Sequence, residues 1–244
     1  MLIGITIPTY NERENLALLA EALLAQSLPG GAKVRLFVVD DNSPDGTGPI
    51  ADALAEAHPG AIQVIHRMTE RGRASAGIAG FRAALADAEV THLLEMDADF
   101  SHAPGDLPKL VAAEDKADIV IGSRYVKGGV VIDSPTLNRI LSRAICLINR
   151  LVFGVPVNDN SGGYKLYRRA VMETIDLGSY SARAFSVGIE TLLKCKRHGF
   201  TFVEVPITFR NRVRGKSKLD RAVLFEYPVN VLRLKMRDLR GDVS

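Results

Sequence analysis

The chain has 244 residues, of which 47% are hydrophobic and 24% charged, and a formal net charge of +3. That length allows one large domain or two small ones with a real core, and that balance excludes a disordered or fibrous chain. Two cysteines, Cys146 and Cys195, give neither a disulfide framework nor a metal-ligand spacing and read as reduced thiols.

Leu2–Ile7 is strand-like, so the chain opens almost directly on its fold and no leader is expected. Glu14–Gln26 has helical apolar spacing, Val34–Val39 is strand-like, Thr47–Ala57 helical and Ile62–His66 strand-like. Ala74–Ala86 reads as a helix, and His92–Met96 and Ile119–Gly122 as further strands. This alternation predicts an α/β fold, a mostly parallel sheet with helices on both faces, and ligands beyond the carboxyl ends of its strands. Asn11 and Asp45 precede helical stretches and are candidate N-caps, with Asp45 also a turn former in Ser43-Pro44-Asp45-Gly46.

The second half is less regular. Leu137–Phe153 is an amphipathic helix whose Arg139, Arg143 and Arg150 fall within about 40° of one another. Opposite them lie Ile140, Leu141, Ile145, Ile148 and Val152. Residues 158–163 form a loop, Tyr164–Arg168 a strand returning to the sheet, and Phe185–Arg197 a helix. Phe200–Phe209 is strand-like with Pro206 at an edge or bulge, and Leu219–Leu239 reads as helix, break at Pro228, helix. Apolar runs such as Leu16–Ala20 and Ala144–Ile148 hold five residues, far short of the roughly 20 needed to span a bilayer. From Phe209 to Ser244 ten Lys/Arg face four Asp/Glu, leaving the body slightly acidic; such a basic tail suits a phosphorylated ligand or an anionic membrane surface.

The most informative stretch is Leu93-Leu94-Glu95-Met96-Asp97-Ala98-Asp99. It sets two carboxylates one residue apart where a strand gives way to a loop. Hard oxygen ligands so placed suit a divalent cation with positions left open for phosphate oxygens. The set points to an enzyme that handles a metal-bound nucleotide diphosphate, whose negative charge a cation on Asp97 and Asp99, aided by arginine or lysine, would stabilise. Cationic positioning of a phosphate group could come from Arg124, Arg139 and Arg143.

Six segments in order carry a family likeness: Pro8-Thr9-Tyr10-Asn11-Glu12-Arg13-Glu14-Asn15, Val39-Asp40-Asp41-Asn42-Ser43-Pro44-Asp45-Gly46-Thr47, Asp97-Ala98-Asp99-Phe100-Ser101-His102, Gly122-Ser123-Arg124-Tyr125, Ser161-Gly162-Gly163-Tyr164 and Arg212-Val213-Arg214-Gly215-Lys216-Ser217-Lys218. Together they resemble glycosyltransferase family 2, most closely its dolichol- or polyprenol-phosphate mannosyltransferase branch. The resemblance implies a GT-A fold over residues 1–218 with an amphipathic helical extension of the same domain at 219–244. It implies an inverting, metal-dependent transfer from a nucleotide sugar, GDP-mannose foremost, to polyprenyl or dolichyl phosphate at the cytoplasmic membrane face. Pro8, Tyr10 and Glu12 would line the nucleoside pocket, and Val39 and Asp41 would contact base or ribose. Asp97 and Asp99 would hold Mg2+ or Mn2+ with Ala98 against the donor, and Arg124, Arg212 and Lys218 would face phosphates. Ser101, where some relatives carry a longer amide, completes the candidate metal set. One departure is Gly72-Arg73-Ala74-Ser75-Ala76 in place of Gly-Leu-Gly-x-Ala, which adds Arg73 and reshapes a loop near the donor.

Alternatives remain within and beyond this class. The donor is open to UDP-glucose or UDP-GlcNAc and the acceptor to a soluble metabolite, and a non-catalytic nucleotide-sugar or membrane-binding module is a separate class. Nucleotidyl transfer lacks its Gly-rich, lysine-containing phosphate loop here, since Thr9-Tyr10-Asn11-Glu12-Arg13 stands in that place. A dinucleotide fingerprint after the first strand is also missing. Basic residues with little aromatic interleaving on an acidic body argue against nucleic acid.

Overall fold

The computed structural model describes residues 1–178, 180, 186–211 and 221–243, with 186 and 221–226 described by backbone alone. Strands β1 (Leu2–Thr9), β2 (Lys33–Asp40), β3 (Ile62–His66) and β4 (His92–Glu95) alternate with helices α1 (Leu16–Leu24), α2 (Thr47–Ala57) and α3 (Arg73–Ala86). Then follow α4 (Leu107–Val111), β5 (Ile119–Ser123), β6 (Val130–Ile132) and α5 (Thr136–Phe153). The chain continues through β7 (Lys165–Arg168), α6 (Arg169–Thr174), α7 (Ser186–Arg197), β8 (Phe202–Pro206), β9 (Thr208–Arg210) and α8 (Arg221–Arg240).

Among the described residues the main sheet has seven strands in the order β3-β2-β1-β4-β7-β5-β8. All neighbours pair in parallel except β7, which runs antiparallel to β4 and β5. The chain leaves β1 toward β2 on one side, while β4 returns on the other. The crevice between the carboxyl ends of β1 and β4 is therefore the switch point where such sheets bind ligands.

Alternation along the strands divides the core. Ile3, Ile5 and Ile7 of β1 face one layer, built with Leu16, Leu19 and Leu23 of α1 and Leu107 and Leu110 of α4. Each fully buried leucine there contributes about 1.5–3 kcal/mol. Phe37 and Leu93 face the other layer with Phe81, Val171, Leu192 and Leu234. On that second face β1 carries Leu2 at its start and then the small Gly4 and Thr6, and α3 closes onto it so tightly that a Cβ on Gly80 would lie 2.1 Å from Thr6 Cγ2. Gly80 is what lets α3 present its first turn beside the end of β4.

Three local expectations change. Phe200–Phe209 is two strands: β8 forms the sheet edge with Pro206 at its last position, and after Ile207 the chain crosses to pair β9 with β6. Proline, lacking an N–H, suits that edge. Within its described part, the stretch read as helix, break, helix is the single helix α8 with Pro228 inside it. The proline forfeits one intrahelical bond, while Arg237 on buried Glu190 (2.8 Å) and Arg197 Nε on buried Asp238 (2.7 Å) hold the second half in line. Asn11 is no N-cap: it lies at φ 59° in the loop, and Asn15 stands before α1. Asp45 is likewise not the N-cap of α2, a place taken by Gly46; it is a turn former whose carboxylate accepts the Thr47 N–H (3.0 Å).

Gly80→Ala is expected to lower unfolding stability in denaturant by about 1–3 kcal/mol through overpacking against Thr6. Gly105→Ala, where a Cβ meets nothing within 4 Å, should change it little. Equal midpoints for the two variants would refute the close α3–β1 contact.

Candidate active site

The loops after β1 and β2 form one wall. Pro8 and Val39 are register partners at the strand ends. Glu12 is buried; its N–H donates to Thr47 Oγ1 (3.0 Å) and its carboxylate accepts from Asn15 Nδ2 (2.9 Å). Asn11 N–H reaches Ser43 Oγ (3.0 Å) and Arg13 N–H reaches Asp45 Oδ2 (3.2 Å), so the two loops are stitched by their own polar groups. Tyr10 lies beneath Arg71, whose guanidinium carbon is 5.4 Å from the ring centroid. Buried Asp41 accepts the Gly72 N–H (2.7 Å) and lies 3.3 Å from Arg67 Nη1, which ties the loop before α3 to the end of β2. Pro8, Tyr10, Glu12, Val39 and Asp41 thus gather at the same end of the sheet.

The β4 carboxylates complete the crevice. Ala98 is buried in the core, and buried Asp99 accepts the N–H of Ser101 (3.0 Å) through a left-handed turn at Phe100 (φ 60°). Asp97 is partly exposed and meets Arg73, whose Nε lies 2.7 Å from Oδ1; Arg73 Nη1 is 2.9 Å from Glu95 Oε1. The carboxylates of Asp97 and Glu95 raise the Arg73 pKa above its ordinary value, so it stays a cation. Burial raises the Glu95 carboxyl against the pull of Arg73. Behind them Lys165 is buried with its ammonium donating to the Gly162 carbonyl, and burial brings its pKa down to about 8 against the attraction of Asp159 and Glu95.

Among the described residues no three His, Cys, Asp or Glu side chains converge as a metal cage. The donor set at this crevice is Asp97, Asp99 and the buried Ser101 hydroxyl, whose oxygen has no hydrogen-bond partner among the described residues. All are hard oxygen ligands with positions left open, which fits Mg2+ or Mn2+ completed by phosphate oxygens. Next to them His102 is buried, stacked on Tyr164 (5.1 Å between centroids, 22°) and edge-on to Phe209 (5.4 Å, 71°). Burial takes its pKa to about 4, so the ring is neutral and serves as packing that anchors the loop.

Arg124, Arg139 and Arg143 line a single cavity of about 450 Å³ between β6 and the start of α5, together with Tyr125 and Thr136. Arg124 is held as a fork by buried Asp159, with Nε–Oδ2 and Nη2–Oδ1 both 2.7 Å, and donates to Ser161 Oγ (2.7 Å). Burial pushes the Asp159 carboxyl up, and the hydrogen bond and charge of Arg124 pull it below its ordinary value. The Tyr125 ring lies under both Arg124 (4.9 Å) and Arg143 (5.6 Å). Arg150, expected on the same helical face, turns instead to Asn158 Oδ1 (2.9 Å).

Arg212 and Lys218 lie outside the described residues. Sequence reasoning missed two pairings: Arg73 with Glu95 and Asp97, and Asp159 with Arg124. The first had a signal in the unusual arginine at 73; the second had only one acid in a loop of small polar residues.

Residues 5–176 match the family model described as glycosyl transferase family 2. The polyprenol monophosphomannose synthase of Mycolicibacterium smegmatis is 41% identical over 98% of this chain and 90% of its own length. The undecaprenyl-phosphate mannosyltransferase of Micrococcus luteus is 41% identical over 93% of this chain and 91% of its own. Among solved structures, glucosyl-3-phosphoglycerate synthase from Mycobacterium tuberculosis, in complex with Mn2+, UDP-glucose and phosphoglyceric acid, has a TM-score of 0.67. It shares 17% identity over 96% of this chain and 79% of that one, a likeness of fold alone. The sheet order and flanking helices are those of the GT-A architecture. A family match over residues 5–176 and 41% identity along nearly the whole chain place the protein in glycosyltransferase family 2.

Proposed function

We propose that this protein transfers mannose, with inversion, from GDP-mannose to the phosphate of a polyprenyl lipid while resting on the cytoplasmic face of a membrane. One observation carries the reading: a carboxylate pair at the β1/β4 switch point shares its protein with an arginine-lined cavity under a helix whose apolar side faces outward. The names of the two bacterial relatives support the acceptor class.

In this reading the nucleoside rests on the wall formed by Pro8, Tyr10, Glu12, Val39 and Asp41. Asp97, Asp99 and Ser101 would hold Mg2+ or Mn2+, which when bound neutralises charge on the departing diphosphate. Arg139 and Arg143 hold the lipid phosphate at the cavity. Arg124, already matched by Asp159, gives that cavity a rigid edge and turns its remaining donors to phosphate oxygen. A phosphate oxygen attacks the anomeric carbon as the bond from that carbon to the diphosphate oxygen breaks. The acceptor oxygen is already anionic, so no protein base is required. Arg212 and Lys218, outside the described residues, are proposed to face the donor phosphates.

The lipid chain has a place to go. On α5 the buried side chains are Cys146, Asn149 and Phe153, while Leu137 (65% exposed), Ile140, Leu147, Ile148 and Leu151 (75%) face solvent. Exposed Val229, Leu232, Met236 and Leu239 recur at helical spacing on α8, with exposed Arg233 and Arg240 beside them. Tyr227 OH on Asn149 Oδ1 (2.5 Å) links the two helices. Apolar faces edged by cations suit an anionic bilayer surface. No helix among the described residues is long and apolar enough to cross a membrane.

Purified protein given labelled GDP-mannose, UDP-glucose or UDP-GlcNAc with undecaprenyl phosphate is expected to make an organic-extractable product from GDP-mannose. EDTA should abolish it, and Asp99→Asn should slow it about 100-fold or more. Product from none of the donors would overturn the lipid-acceptor reading. The double variant Arg139→Ala/Arg143→Ala should raise KM for the lipid phosphate about tenfold or more with kcat changed less than about threefold; unchanged KM removes these arginines from the acceptor site. Leu147→Glu/Leu151→Glu should cut cosedimentation with phosphatidylglycerol-containing vesicles about tenfold or more, since each inserted leucine contributes about 1.5–3 kcal/mol. Binding equal to wild type would rule out α5 as the docking face.

A further inference from the structure

We infer that Arg73 is a built-in competitor for the divalent ion: its guanidinium holds Asp97 until an ion displaces it, so this residue sets the metal affinity of the site. The inference rests on the reading of Asp97 and Asp99 as cation ligands. Nε lies 2.7 Å from Asp97 Oδ1 and Nη1 lies 2.9 Å from Glu95 Oε1, so the fork spans both carboxylates. An ion coordinating that oxygen of Asp97 must take it from Arg73, and two cations cannot share it without repulsion.

The surroundings allow the exchange. Arg73 opens α3 directly after Gly72, whose N–H is fixed by Asp41, so its backbone is held and only the side chain needs to move. That side chain is 43% exposed and can withdraw toward solvent. On its inner side a Cβ at Gly163 would come within 2.9 Å of Arg73 Nη2, so glycine there leaves the guanidinium its berth. With Glu95, Asp97 and Asp99 falling within five residues, the crevice gains from an internal cation that a doubly charged ion can replace.

The test is titration of the protein with Mn2+ alone, reading free ion by electron paramagnetic resonance. R73L should bind Mn2+ about tenfold more tightly than wild type, and R73Q, which keeps donors without charge, should follow it. R73K, with one ammonium in place of a fork, should fall between. R71L should stay within about twofold, since Arg71 lies over Tyr10. Added Mn2+ should also raise the melting temperature of R73L more than that of wild type. Equal or weaker binding by both R73L and R73Q, with wild-type binding lost in D99N, overturns the role of Arg73 alone. Binding retained in D99N, or absent from every variant, overturns the cation site and the role of Arg73 with it.

Discussion

The end of β4 concentrates negative charge: Glu95, Asp97 and Asp99 project from one short stretch where a parallel sheet opens its switch point. Three carboxylates in partial burial repel one another unless cations answer them. Arg73 does so from α3 and Lys165 from the neighbouring strand β7. The neighbouring architecture follows from that demand. Gly80 lets α3 approach, Asp41 fixes the loop that leads into Arg73, and antiparallel β7 brings Lys165 beside Glu95. A crevice balanced in this way is poised rather than saturated, because its cations are side chains that a better-placed ion can relieve.

Much of this was legible beforehand. Thr47–Ala57 and Ile62–His66 match observed α2 and β3 residue for residue, because their spacing is set by one apolar face and punctuated by glycine and proline. The gathering of Pro8, Val39, Asp41 and Asp97 at one end follows from parallel strands, whose carboxyl ends share an edge. The short pieces were not legible. β6, α4 and α6 hold three, five and six residues, below the length at which periodicity carries a signal. Continuity of α8 through Pro228 was also hidden, because ion pairs from α7 hold it and such partners leave no mark in local sequence. Asp159 was missed for the same reason: its meaning lies in a cation 35 residues away.

The amphipathy of α5 was visible, but its orientation was not. An apolar stripe at helical spacing normally faces a core. Here Asn149 is buried instead, bonded to Asn160 Oδ1 at 2.8 Å, and leucines and isoleucines face outward. Burying an amide while exposing aliphatics is costly in water alone. The inversion is what the proposed membrane docking of α5 requires.

That orientation ties the two halves of the proposed acceptor to one element. Arg139 and Arg143 lie on the cavity side of α5 with Ile140 at the rim, while Leu137, Leu147, Ile148 and Leu151 lie on its outer side. A phosphate carried on a polyprenyl chain has the same division, a compact anion joined to a long apolar body. Arg124 sharpens the match. Its charge is already cancelled by Asp159, so adding a phosphate there requires little net charge from it, and the uncancelled charge at the cavity comes from α5. A soluble phosphate acceptor would use the arginines but leave the leucine face without purpose. A lipid phosphate uses both, and in the proposed docking the spacing along α5 would fix how deep the anion rides relative to the membrane surface.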